Sequence, residues 1–257
     1  MHTASSRRLF SAAALAGLAG AVLVVCGPAQ AWGWRSGERV SGNGDLATEA
    51  RDTGAFDAVT LSGGFNVVIR QGASHKVEVR ADRNLLPYLE TRVVEGGKGR
   101  TLEIAPRRGV SLSPSSHPSF TLEMPALRAV AVAGSGTVKV EAMKVAGVDA
   151  AIAGSGDIRF ANLDAERLGM KVAGSGDIVA AGRCGATTVS ISGSGDVKAA
   201  DLAAADVKVS IAGSGGAQVQ ASRTLKVSIA GSGDVRYAGS PEVSSSVAGS
   251  GTVRRIN

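Results

Sequence analysis

The sequence predicts an all-β protein, a right-handed, single-stranded parallel β-helix (β-solenoid) with coils of roughly 18–20 residues each and a less regular β-rich N-terminal part. The first observation is a repeat. Gly134-Ser135-Gly136, Gly154-Ser155-Gly156, Gly174-Ser175-Gly176, Gly193-Ser194-Gly195, Gly213-Ser214-Gly215, Gly231-Ser232-Gly233 and Gly249-Ser250-Gly251 follow one another at a nearly constant interval. The second is alternation. Pairs such as Val130/Val132, Met170/Val172 and Val209/Ile211 precede the triplets, and pairs such as Val138/Val140, Ile158/Phe160 and Val235/Tyr237 follow them. Period-two alternation rich in β-branched residues marks half-buried strands, and a fixed interval of this length marks stacked coils. The third is what is missing. There is no leucine ladder, no blade of twice this length and no helical period, which removes the competing repeat folds. Right-handedness follows from the general preference of parallel crossovers.

Residues 1–31 read as a signal peptide. Arg7 and Arg8 precede an apolar run, Leu9 to Val25, and Ala29-Gln30-Ala31 supplies a small-x-small cleavage pattern. Ser6-Arg7-Arg8-Leu9-Phe10 resembles a twin-arginine signal, and Leu23-Val24-Val25-Cys26 partly resembles a lipoprotein box, although simple cleavage is the reading adopted. Cleavage removes Arg7 and Arg8 from the 28 Lys and Arg and none of the 22 Asp and Glu, so the net charge falls from +6 to +4, with no dense basic block. Nucleic acid is therefore not an expected partner, and no integral membrane segment is expected after cleavage. Cys184 would then stand alone, so no internal disulfide is available and the cysteine reads as a small core or turn residue.

Residues 32–54 read as a leader and first strand, with Trp32 to Gly37 flexible. Residues 55–127 form irregular coils, in which Phe56–Leu61, Phe65–Arg70 and Lys76–Arg80 are strands and Asn84 to Tyr88 is one helical turn. Thr91–Val94 and Thr101–Ile104 are strands around the turn Glu95 to Arg100, and Arg107 to Ser119, rich in serine and holding Pro114 and Pro118, is an exposed loop. Residues 128–257 are the repeat coils, each read as strand, glycine corner, strand and variable polar turn.

Phe56-Asp57-Ala58-Val59-Thr60-Leu61-Ser62-Gly63-Gly64, Val67-Val68-Ile69-Arg70-Gln71-Gly72, the Gly-Ser-Gly-Asp repeats and the ending Val235-Arg236-Tyr237-Ala238-Gly239-Ser240-Pro241 resemble the GIN domain family over residues 55–257. That family is described as an autotransporter adhesin head. The resemblance implies a single-stranded β-helix in a bacterial envelope or secreted setting and brings no catalytic residues.

The residue that follows each triplet is Thr137, Asp157, Asp177, Asp196, Gly216, Asp234 and Thr252 in turn. Stacked Asp157, Asp177 and Asp196 form a candidate cation row, but each aspartate more simply caps its own corner, and the repeat pattern of calcium solenoids is absent. The triplet serines read as a hydroxyl ladder rather than nucleophiles, because no histidine lies near them and no Gly-x-Ser-x-Gly elbow exists. His75 and His117 are isolated and fall in predicted loops, so no metal site and no cofactor are expected. The expected role is a non-catalytic, exported β-helix module, periplasmic or at the cell surface, that is adhesin-like or scaffolding. Its partner would be a glycan, an envelope polymer or another protein, met by the flat strand faces or the Arg107–Ser119 loop. The alternative is a carbohydrate-active β-helix enzyme, disfavoured by an aromatic content of 4%. Arg254 and Arg255 at the last edge favour a monomer.

Overall fold

A computed structural model describes residues 38–96 and 99–256. The expected signal peptide, Cys26 and the expected Trp32–Gly37 leader lie outside these residues. The N-terminal part contains β1 (Glu38–Ser41), β2 (Leu46–Arg51), β3 (Ala58–Ser62), β4 (Asn66–Gln71), β5 (Lys76–Asp82), a 3-10 turn (Leu86–Tyr88), β6 (Leu89–Gly96), β7 (Gly99–Pro106), β8 (Val110–Ser113) and β9 (Ser119–Met124). The repeat contains β10 (Ala129–Gly134), β11 (Thr137–Gly154), β12 (Asp157–Gly174), β13 (Asp177–Gly193), β14 (Val197–Gly213), β15 (Gly216–Gly231), β16 (Asp234–Ala238), β17 (Glu242–Gly249) and β18 (Thr252–Arg255).

The repeat is a parallel β-solenoid. β10 to β15 pair successively in parallel, and β16, β17 and β18 continue the ladder. Register between β11 and β12 holds over 137–140, 142–145 and 147–154, leaving Glu141 and Ala146 unpaired. Each rung therefore has three straight sides, two bends and one glycine corner. The variable polar turn expected between strands is absent: a strand such as Thr137–Gly154 runs from one triplet to the next. Parallel pairing satisfies the backbone through most of the rung, so the bends need no turn chemistry of their own.

Inward side chains stack in columns: Val132, Ile152, Val172, Ile191, Ile211 and Ile229 form one, and all are buried. Phe160 pairs with Ala180, a large side chain beside a small one. Burying each aliphatic side chain contributes about 1.5–3 kcal/mol.

The corners require glycine on close-approach grounds. Gly174 has φ +130°, and a Cβ there would lie 2.2 Å from the Gly154 carbonyl oxygen. A Cβ on Gly176 would meet the Gly156 oxygen at 2.1 Å and Ile152 Cγ2 at 2.9 Å.

The irregular part joins the solenoid directly. β3 pairs with β10 and β4 with β11, both parallel, so Ser62-Gly63-Gly64 is a degenerate corner under the first triplet, with Gly63 N–H donating to Ala133 O at 3.0 Å. Among the described residues, antiparallel pairs occur only here, as β2–β5, β5–β9 and β6–β7. The loop expected over Arg107–Ser119 is corrected: Val110–Ser113 forms β8 and pairs in parallel with β1. Its Pro and Ser content reads as loop, but a partner strand far away in the chain supplies the ladder that local sequence cannot reveal. The leader region likewise holds two strands, β1 and β2, rather than one. The turn expected over Asn84–Tyr88 forms at Leu86–Tyr88. Among the described residues, no helix is long and apolar enough to cross a membrane.

Candidate functional site

Residues that follow a triplet face outward on the first side of each rung. Asp157 accepts the Asp177 N–H through Oδ1 at 3.3 Å, Asp177 the Asp196 N–H at 3.2 Å, and Asp196 the Gly216 N–H at 2.8 Å. Each aspartate thus caps the next rung and not its own corner, because parallel stacking brings its carboxylate within reach of the amide one coil on. This correction also bears on the cation row: one oxygen of each of the three carboxylates is already accepting a hydrogen bond. Asp177 Oδ2 also receives Lys198 Nζ at 2.7 Å, and this carboxylate raises the lysine pKa. Among the described residues, no group of three or more His, Cys, Asp or Glu side chains converges where it could hold a metal.

Gly216 interrupts the carboxylate column and opens a notch of about 240 Å³, lined in part by Asp196, Lys198, Gln218, Asp234 and Arg236. Asp234 caps Thr252 through the backbone N–H at 3.1 Å and the hydroxyl at 2.5 Å, which lowers its pKa. Three of the charged groups at the notch are therefore already engaged elsewhere, Asp196 by the Gly216 N–H, Asp234 by Thr252 and Lys198 by Asp177. The notch has no paired nucleophile and base.

At the triplets themselves, the expected hydroxyl ladder is replaced by a backbone one. The N–H groups of Ser155, Ser175, Ser194, Ser214 and Ser232 each donate at 2.9 Å to the carbonyl of the first glycine one rung back, and the serine residues are exposed. A hydroxyl on a surface corner is free to meet water, whereas the amide is held by the ladder.

The N-terminal end holds a polar cluster that the sequence did not announce. Asp82, wholly buried at the end of β5, accepts Ser115 N–H through Oδ2 at 2.9 Å, Gly44 N–H through Oδ1 at 2.8 Å, and the Ser115 hydroxyl. These bonds, led by the Ser115 hydroxyl, lower its pKa against the opposing effect of desolvation. Asn84 accepts the Asn43 N–H at 3.1 Å and donates to Ser41 O at 2.8 Å. Gly42 to Asp45 is therefore a structural loop wrapped on a buried carboxylate, leading into β2. The signal available was an aspartate ending an alternating strand, which ordinarily reads as exposed.

His75 Nε2 lies 2.8 Å from Phe56 O, with its ring edge-on to Phe56 at 5.1 Å, while His117 lines a shallow surface recess with Arg80. Cys184 is a core residue 7% exposed, and burial pushes its thiol pKa up.

A family model described as "Putative auto-transporter adhesin, head GIN domain" matches residues 55–241. No curated protein matches the sequence. The solved structure of a "putative lipid binding protein" from Parabacteroides distasonis is 28% identical, with a TM-score of 0.71, covering 86% of this chain and 100% of that one. A "putative adhesin" from Parabacteroides merdae is 24% identical, with a TM-score of 0.69 and coverage of 86% and 100%. Another, from Bacteroides fragilis, is 21% identical, with a TM-score of 0.73 and coverage of 84% and 100%. The last two speak to the fold alone.

Proposed function

The chain belongs to the auto-transporter adhesin head GIN domain family, and from that premise we propose that it is a non-catalytic, adhesin-like binding module that works outside the cytoplasm, in the envelope or at the cell surface. The observation that carries the reading is the layout of its polar groups. They recur rung after rung on flat outward faces instead of converging in one cleft, and at the notch beside Gly216 the nearby carboxylates Asp196 and Asp234 are occupied by backbone amides. Repeating faces suit extended partners, since every rung presents a similar contact about 4.8 Å from the last. The Arg107–Ser119 segment is a weaker candidate for recognition, because β8 and the Asp82–Ser115 bonds hold it to the body.

The test is retention of the purified protein on immobilised neutral and acidic polysaccharides, peptidoglycan and phospholipid vesicles, the last because one structural relative carries a lipid-binding name. Retention on a polymer without product release supports the module. Retention on nothing removes it, and steady release of sugar fragments replaces it with the enzymatic alternative.

A further inference from the structure

We infer that the third side of the solenoid is the binding face and that its ligand is a linear anionic polysaccharide lying along the axis, an inference that rests on the binding-module reading above. Register sets the face. Asp149, Gly169, Thr188, Lys208 and Lys226 form one outward row, and Ala151, Lys171, Ser190, Ser210 and Ser228 form the next. At the adjoining bend Arg167 stands between Gly147 and Ala186. Arg167, Lys171, Lys208 and Lys226 are exposed, and none takes part in an ion pair among the described residues.

Opposing charge on this side is sparse. Asp149 leans over Gly169, where a Cβ would lie 2.3 Å from its Oδ1. Asp206 is held by Arg223 and Thr224, and Glu242 sits on β17 at the far end. On the first side, by contrast, the Lys139, Arg159, Lys198 and Arg236 positions run beside the aspartate column, so positive charge there is answered.

Two clefts lie on the third side. One, of about 560 Å³, is formed where Gly147 and Gly169 leave out side chains; Arg167 and Lys171 contribute its unpaired cations, while Arg128, paired with Asp57, and Asp149 also line it. Its size is within the range of small-ligand sites. The other, of about 150 Å³, lies between Lys208, Lys226 and Ser244 to Ser246. Rungs about 4.8 Å apart place Lys208 about 10 Å along the axis from Lys171, with Lys226 one rung further. Acidic groups spaced along a polymer can meet these cations in turn, and the intervening Ser190, Ser210 and Ser228 hydroxyls suit sugar hydroxyls. Nucleic acid fits less well, since neither row carries an aromatic side chain for base stacking. A membrane surface fits less well too, since neither row carries a large apolar side chain.

The experiment uses polygalacturonate as probe, with a neutral glucan, single-stranded DNA and anionic vesicles as comparisons. The triple variant Lys171→Gln, Lys208→Gln, Lys226→Gln is set against Lys139→Gln, Arg159→Gln, Arg236→Gln, which removes the same charge from the first side. Urea midpoints confirm that both fold. Salt-sensitive binding to polygalacturonate, weakened roughly tenfold by the first variant and less than about twofold by the second, is the expected result. Equal weakening by both variants overturns the inference, as does wild-type binding to DNA or vesicles as tight as to the uronate polymer. Binding to the neutral glucan alone removes the anionic face but keeps the module, whereas binding to no polymer removes both.

Discussion

Asp196 Oδ1 accepts the Gly216 N–H at 2.8 Å, and Gly216 has no carboxylate with which to cap the coil beyond it. The relay that begins at Asp157 ends there. Asp196→Ala should therefore lower stability by about 1 kcal/mol, the usual worth of one such bond, while Asp196→Asn, which keeps an Oδ1 acceptor, should lose less. Urea unfolding decides the matter. A midpoint for the alanine variant at or above wild type would mean that the column is ornamental.

The corner makes a sharper contrast between neighbours. Gly174→Ala places a Cβ 2.2 Å from the Gly154 oxygen at φ +130°, and backbone on both sides leaves little room to relax. A loss of at least about 2–3 kcal/mol is expected. Ser175→Ala, one residue on and exposed, should stay within about 0.5 kcal/mol. Thermal unfolding of the two variants would contradict this account if they were equally stable.

Much of this geometry was legible in the sequence, because each corner demands glycine and most inward positions take an aliphatic residue. The triplets and the alternation around Val132, Ile152 and Val172 therefore report rung length and core together. The bends were not legible: Glu141 and Ala146 carry no turn signal, since pairing on either side holds them. Pairing of Glu38 with Val110 leaves no local trace, and Asp82 looks like a surface residue until Ser115 and Gly44 are brought to it. The third-side cations are scattered along the sequence from Arg167 to Lys226, and only the register gathers them into rows.

Acid should destabilise the solenoid through carboxylates held by cross-rung donors. The Asp206 pKa is lowered from 3.8 to about 2, chiefly by Arg223 and then by Thr224. A depressed native pKa means that the folded state binds the proton less readily than the unfolded one. The stabilisation is thus in place above about pH 4 and is lost as pH falls towards 2. Asp164 and Asp234, lowered mainly by hydrogen bonds from Arg183 and Thr252, act in the same direction. Arg223→Gln should flatten the fall in urea midpoint between pH 4 and 2, and an unchanged slope would remove Asp206 from the explanation.

Asp82 should govern how firmly the N-terminal end is closed. Asp82→Ala frees Ser115 and Gly44 together, and with them the segments on either side of the β1–β8 pair. Arg107 and Arg108, exposed just before β8, are convenient reporters. Trypsin should cut there several-fold faster in the variant, while hydrogen exchange in β12 and β13 stays as in wild type. Unaltered cleavage would show that the ladder alone holds β8.

Cys184 reports on the core. Its thiol lies in a residue 7% exposed, donates to Ala186 O at 3.2 Å, and has a pKa raised mainly by desolvation. The thiolate is the reactive form, so burial suppresses alkylation twice, by withholding access and by withholding the anion. Iodoacetamide at pH 8 should leave Cys184 unmodified in the folded protein and label it fully in urea, with the onset of labelling following the unfolding curve. Labelling well below the urea midpoint would instead indicate that the rung between Gly182 and Ala186 opens by itself, at the register shift where β13 and β14 part company between Val179 and Gly182. Cys184→Ser separates the two cases further: in a closed rung the added hydroxyl has Ala186 O to bond and the protein keeps most of its stability, whereas an open rung would make the substitution silent.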